Sequence, residues 1–155
     1  MSFIHLRTAS SYSFKYGTTQ PHDLVARASE YEMPALALTD RDGLAGAIRF
    51  TKACVGYGIA PIIGINLAIV LEGSSYSDIS TRVTVLAHSN SGWRSLVRLL
   101  TGLQMNSADR TPVLTLELLE KFNIGFGVSS AVGIERNLVT ALNEFIRQLF
   151  SSLQD

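Results

Sequence analysis

Cysteine is almost absent from this sequence: Cys54 is the only one, so no disulfide can form within the chain. A lone cysteine fits a reducing cytoplasm, the expected location, and reads as a small core residue. Charge is scarce as well. Charged residues make up 17%, and thirteen basic side chains balance thirteen acidic ones. Gripping nucleic acid takes a surplus of Lys and Arg, so contact with DNA is expected only through a larger assembly. Long apolar runs are missing too. The longest, Ile59 to Leu71, is interrupted by Pro61, Gly64 and Asn66, well short of the roughly 18 residues that cross a bilayer. The opening Met1-Ser2-Phe3-Ile4-His5 lacks the charged region and apolar stretch of a signal peptide. A soluble chain with no membrane partner is expected.

What is present is core material: 46% of the 155 residues are hydrophobic, enough for one domain or part of one. Short β runs alternate with helical stretches. Phe3 to Leu6 reads as a strand, followed by a loop rich in Ser, Tyr and Gly. Pro21 suits a first helical turn, preceded by Thr19 or Gln20, and Leu24, Val25, Ala28 and Tyr31 recur at helical spacing to about Glu32. Ala35 to Thr39 is a continuous apolar run suited to a strand buried on both faces. Asp40 to Gly43 reads as a loop, and Leu44 to Val55 as a helix closed by Gly56 and Gly58. Ile59 to Ile63 is a third strand, which Ile65 to Leu71 extends or follows, and Gly73-Ser74-Ser75 is a turn.

Val83 to Ala87 predicts a further strand. His88 to Gly92 then caps a helix carrying Trp93, Leu96, Val97, Leu100 and Leu103 on one side. Asn106 to Pro112 is a polar loop, Thr115 to Phe122 a short helix, Ile124 to Val128 a last strand and Glu135 to Leu153 a last amphipathic helix. Strands alternating with helices imply a mainly parallel α/β sheet or a partial, distorted β/α barrel. A closed barrel would need more strands, so the chain is expected to be a fragment or a truncated copy of a larger protein.

Several motifs in order resemble a known family. Phe3-Ile4-His5-Leu6 with Tyr12-Ser13, then Met33-Pro34-Ala35-Leu36-Ala37-Leu38-Thr39-Asp40, then Gly58-Ile59-Ala60-Pro61-Ile62-Ile63-Gly64, then Val83 to Ala87 with Gly92-Trp93 and Leu96, are similar to the opening of bacterial DNA polymerase III α-type subunits. That opening is a PHP (polymerase and histidinol phosphatase) domain, and Thr39-Asp40-Arg41-Asp42-Gly43 resembles its error-prone members. The match is best over residues 3–100 and weaker over 101–155, so 1–155 reads as the N-terminal portion of one PHP-like domain.

The resemblance implies a cluster of His, Asp and Glu holding two or three metal ions for phosphoester hydrolysis, in which the ions polarise phosphate and acidify a bound water. At the matching positions this sequence has Arg7 and Ala9 for a His-x-His pair, Asp40 and Arg41 for Asp-His, Asn66 for Glu and Arg82 for His. Arg carries a permanent charge and Ala has no donor atom, so one carboxylate remains among three guanidinium groups. A degenerate site is expected at Arg7, Ala9, Asp40, Arg41, Asn66 and Arg82, with no catalytic residue, no metal and no cofactor. The three arginines are expected to fill part of the former metal pocket, with Asp40 paired to at least one.

The resemblance further implies a structural domain whose partner is the remainder of the polymerase subunit or another replication or repair protein, Mg²⁺ belonging to the parent polymerase. Two rivals are an active metal-dependent phosphoesterase or 3′–5′ exonuclease, and a free-standing interaction module. Plainer roles stand beside these. Asp40 fits a helix cap or turn, and Asp40-x-Asp42 fits a polymerase-type Mg²⁺ pair only poorly with Arg41 between. His5 reads as a hydrogen-bonded core residue, His22 and His88 as exposed, Ser10, Ser11 and Ser13 as a Ser-rich turn lacking a base to activate a nucleophile, and Trp93 as a core anchor.

Overall fold

The computed structural model describes residues 3–69, 82–106, 112–115, 118 and 126–129. The expected turn at 73–75, most of the loop at 106–112, all but Thr115 and Leu118 of the helix at 115–122, and the helix at 135–153 lie outside the described residues.

Helix α1 (Pro21–Glu30) starts where the proline places it, with Gln20 as N-cap, and buries Val25 and Ala28. Strand β1 (Ala35–Arg41) follows. Helix α2 (Ala47–Tyr57) buries Phe50, Ala53 and Cys54 and ends at Gly58, whose φ of 70° is the left-handed cap that a side chain would resist. Strand β2 (Ala60–Ile69) joins the two expected runs into one. After β3 (Arg82–Ala87), Ser89 accepts a hydrogen bond from the Gly92 N–H and caps α3 (Asn90–Asn106). Short strands β4 (Val113–Leu114) and β5 (Phe126–Ser129) complete the described elements.

One mixed sheet joins the strands in the order β1-β2-β3-β5, with β4 paired to β2. Pairing of β1 with β2 and of β4 with β2 is parallel, whereas β3 is antiparallel to both β2 and β5. Four of the five described strands therefore run the same way, in keeping with the expected mainly parallel α/β sheet. Ala68 pairs with Arg82 on one side and Val113 on the other, so β4 takes up the edge of β2 that β1 has left.

Strand alternation sorts the two faces. Leu36 and Leu38 turn towards α1 and α2, forming one core with Val25, Phe50 and Cys54. Ile65, Leu67, Ile69, Val83 and Val85 form a second core with Leu96, Leu99, Leu100 and Leu103 of α3. Burying each of these larger side chains stabilises the fold by about 1.5–3 kcal/mol. The other face carries Thr39, Arg41, Asn66, Thr84 and Arg82, which the register brings side by side. Apolar and polar demands are thus met on opposite sides of one sheet.

Five expectations are corrected. Residues 3–6 form no strand, because the segment keeps pace with β1 unevenly. His5 accepts from the Ala37 N–H and Thr8 from the Thr39 N–H, three residues against two, and the ladder breaks. Strand β1 runs through Asp40 to Arg41 instead of ending at Thr39. On α3 the apolar face turns through Leu99 rather than Val97, which is 38% exposed, and Trp93 is half-buried at the surface, outside both cores. His5 is exposed, its ring edge-on to Phe3 at 4.7 Å between centroids, while His22 and His88 are exposed as expected.

Candidate functional site

The polar face of the sheet and the N-terminal segment enclose a cleft of about 390 Å³, lined by Arg7, Thr8, Ala9, Tyr16, Thr39, Arg41 and Asn66. Arg7 and Ala9 reach it from the segment alongside β1. That segment is held by the Thr8 N–H, which donates to Thr39 Oγ1 at 3.1 Å, and by the two backbone bonds to β1. Thr39 and Arg41 reach it from alternate positions of β1, and Asn66 stands opposite Arg41 in the β1–β2 register. Four of the six expected positions, Arg7, Ala9, Arg41 and Asn66, thus converge on one cleft.

Asp40 does not join them. Strand alternation sends its side chain to the opposite face from Arg41, where it is 2% exposed. There the carboxylate accepts three hydrogen bonds: from the Ser10 N–H at 2.6 Å, Ser10 Oγ at 2.8 Å and Ser13 Oγ at 2.7 Å. Ser13 Oγ in turn accepts from the Arg41 N–H at 2.9 Å. No guanidinium lies within ion-pair distance of Asp40 among the described residues, which corrects the expected Asp40–Arg pair. The physical reason is local. Two buried hydroxyls and an N–H meet the charge without long side chains having to enter the interior.

Arg82 sits beside the cleft rather than on it. Its Nε donates to Asn66 Oδ1 at 2.6 Å, and its terminal nitrogen donates to the Asn66 carbonyl and to Asp42 Oδ1, each at 2.7 Å. Asn66 Nδ2 donates to Thr84 Oγ1 at 3.0 Å, so the Asn66 amide has partners at both ends. Arg41 lies over the Tyr16 ring, with Cζ 3.4 Å from the centroid, and its Nε is buried without a hydrogen-bond partner. Sequence reasoning missed Tyr16, weighed Asp42 only as half of an ill-suited Mg²⁺ pair and not as the partner of Arg82, and read Ser10 and Ser13 only as a turn. The three-residue spacing of those serines beside a strand-end carboxylate was the available signal.

A divalent or transition metal needs His, Cys or carboxylate donors converging on one point. The cleft offers two guanidinium groups, a methyl group, two threonines, a phenol and a committed amide. No group of three or more His, Cys, Asp or Glu that could hold a metal ion is gathered among the described residues. The described residues do not fit the metal cluster of an active PHP site.

Helices pack behind a mainly parallel sheet whose polar face carries the cleft, an α/β arrangement that the family comparison assigns to one class. The chain belongs to the PHP domain family, which it matches over residues 5–141. It is 39% identical over 111 residues to an error-prone DNA polymerase of Corynebacterium efficiens, covering 72% of this chain and 10% of that protein. It is 35% identical over 124 residues to the DNA polymerase III subunit alpha of Escherichia coli K12, covering 79% of this chain and 10% of that protein. The chain spans about a tenth of the length of the curated relatives it matches. Among solved structures, an amidohydrolase from Chromobacterium violaceum superposes with a TM-score of 0.47 at 18% identity, covering 66% of this chain and 32% of that one. No helix among the described residues is long and apolar enough to cross a membrane.

Proposed function

We propose that this chain is a metal-free, non-hydrolytic PHP domain with a structural role in a DNA polymerase III α-type protein, of the replicative or the error-prone kind. One observation carries the reading: the cleft at the expected metal positions is lined by Arg7, Ala9, Arg41 and Asn66, with no His, Cys or carboxylate among its described lining residues. Two fixed positive charges repel a divalent cation, and the described residues that line the cleft offer it only neutral oxygens, with no carboxylate, imidazole or thiolate. Hydrolysis of a phosphoester by a metal-bound water has no support from such a donor set.

The relatives' names support the larger context, because error-prone DNA polymerase and DNA polymerase III subunit alpha both match over about three-quarters of this chain. Packing against the remainder of such a subunit is the partner role proposed, with nucleotidyl transfer and its Mg²⁺ belonging to the parent protein. The test is a hydrolysis assay of the chain with Zn²⁺ or Mn²⁺, on p-nitrophenyl phosphate esters and on DNA 3′ ends. The expected result is the rate of buffer alone. Metal-dependent turnover that disappears with chelator would reject the reading in favour of an active phosphoesterase.

A further inference from the structure

On the helix side of the sheet, away from the cleft, α2 packs along α1, whereas α2 and α3 leave a groove of about 420 Å³ between them. Ile48 and Thr51 of α2, Pro61 and Ile63 of β2, Ala87 of β3 and Trp93 of α3 line it. Its floor lies between the two cores, since Ile63 packs against one and Ala87 against the other. Ile48 is 74% exposed and Trp93 half-buried, so a large apolar side chain stands open to water on each bank.

The banks carry charge of one sign. Helices α2 and α3 hold Arg49, Lys52, Arg94 and Arg98 and no Asp or Glu, in a chain whose charges balance. All four are exposed, and none has an ion pair among the described residues. Lys52 follows Ile48 by one turn and Arg94 adjoins Trp93, so cations flank the apolar residues. Neither helix has an acidic residue in its first turn, where the helix dipole favours one.

We infer that this groove binds an acidic segment of a separate protein, which seats a bulky apolar side chain against Ile48, Pro61 and Trp93 and sets its carboxylates beside Lys52 and Arg94. A second copy of the chain is disfavoured, because two such faces would bring like charges together. A nucleic-acid strand stacks on a run of aromatic faces along a basic track, and here Trp93 is set among Ile48, Pro61 and Ile63. Permanent packing within one polypeptide buries wide apolar surface with few charges. A small apolar groove flanked by free cations suits a reversible, charge-steered partner instead. The inference does not depend on whether the cleft across the sheet holds a metal.

The test uses the full chain and begins with selection from a random peptide library displayed on phage. Enriched peptides are expected to combine Asp or Glu with Leu, Ile or Phe. Trp93 is the only tryptophan, so Trp-free synthetic copies of those peptides can be titrated against its emission. The emission is expected to move saturably to shorter wavelength as the indole is covered, and added salt is expected to weaken binding. Ile48→Ser, and separately Lys52→Glu combined with Arg94→Glu, alter exposed side chains. Each variant is expected to keep the fold and to weaken binding at least about tenfold. No enrichment, enrichment of basic or uncharged peptides, an unmoved Trp93 emission, or equal affinity in either variant overturns the proposal. A single-stranded oligonucleotide that shifts the emission as tightly as the peptides overturns it in favour of nucleic acid. A dimer in sedimentation velocity that Ile48→Ser abolishes overturns it in favour of a second copy. The metal-free reading stands or falls separately, by the hydrolysis assay.

Discussion

Asp40 shows how far a single side chain can be from its assumed role. At 2% exposure, its charge is tolerable because three donors converge on it, two of them hydroxyls that are themselves fully buried. Replacing it removes the acceptor and leaves Ser10 and Ser13 unpaired in the interior. Asp40→Ala is therefore expected to lose about 3 kcal/mol of stability in urea denaturation, and a loss below about 1 kcal/mol would contradict the assigned role. Cys54 gives a second prediction at this scale. Burial pushes its thiol from the ordinary 9.0 up to about 11, because the thiolate would be stripped of water. A folded-state pKa above the unfolded one means that the stabilisation is complete below pH 9 and is lost as the pH rises from about 9 to about 11. The stability gap between wild type and Cys54→Ala is expected to narrow across that window when both are unfolded in urea at successive pH values. A gap that stays constant would show that the thiol is not shielded as described.

At the scale of elements, β2 is the strand on which the site depends, pairing with β1, β3 and β4. Gly64 lets these neighbours approach. A Cβ there would lie 2.6 Å from the Val85 carbonyl oxygen and 2.6 Å from Leu86, and the backbone oxygen cannot move without moving β3. Gly64→Ala is expected to cost about 1–3 kcal/mol, read as a lowered melting temperature, and an unchanged melt would show that the strands can part cheaply. Behind the sheet, Leu99→Ala is expected to cost about 3 kcal/mol, since α3 would leave a cavity against Val83 and Val85.

Much at this scale was legible from residue patterns. Pro21 set the start of α1, Gly58 the end of α2, and Val83 to Ala87 a strand, because each signal is local. The site was less legible. Reading Asp40 to Gly43 as a loop hid the strand alternation that places Asp40 and Arg41 on opposite faces. Charged residues look like a strand's end until Ser10 and Ser13, some thirty positions away, are seen to meet the charge. Likewise the break in the N-terminal strand depends on its register with β1, which no periodicity in residues 3–6 reveals.

Taken as a whole, the described part of this PHP-family chain packs its three helices on one face of a sheet and opens an arginine-lined cleft on the other. It accounts for about a tenth of the polymerases it resembles. The proposed function requires that the place where the resemblance implies a metal cluster holds no cation in this piece. The measurement that tests it most directly is metal content by mass spectrometry, on chain purified without chelator and then incubated with Zn²⁺ and Mn²⁺ before removal of free ions. A value near zero ions per chain is the predicted result. One or more tightly held ions per chain would contradict the account and return the cleft to the class of metal sites.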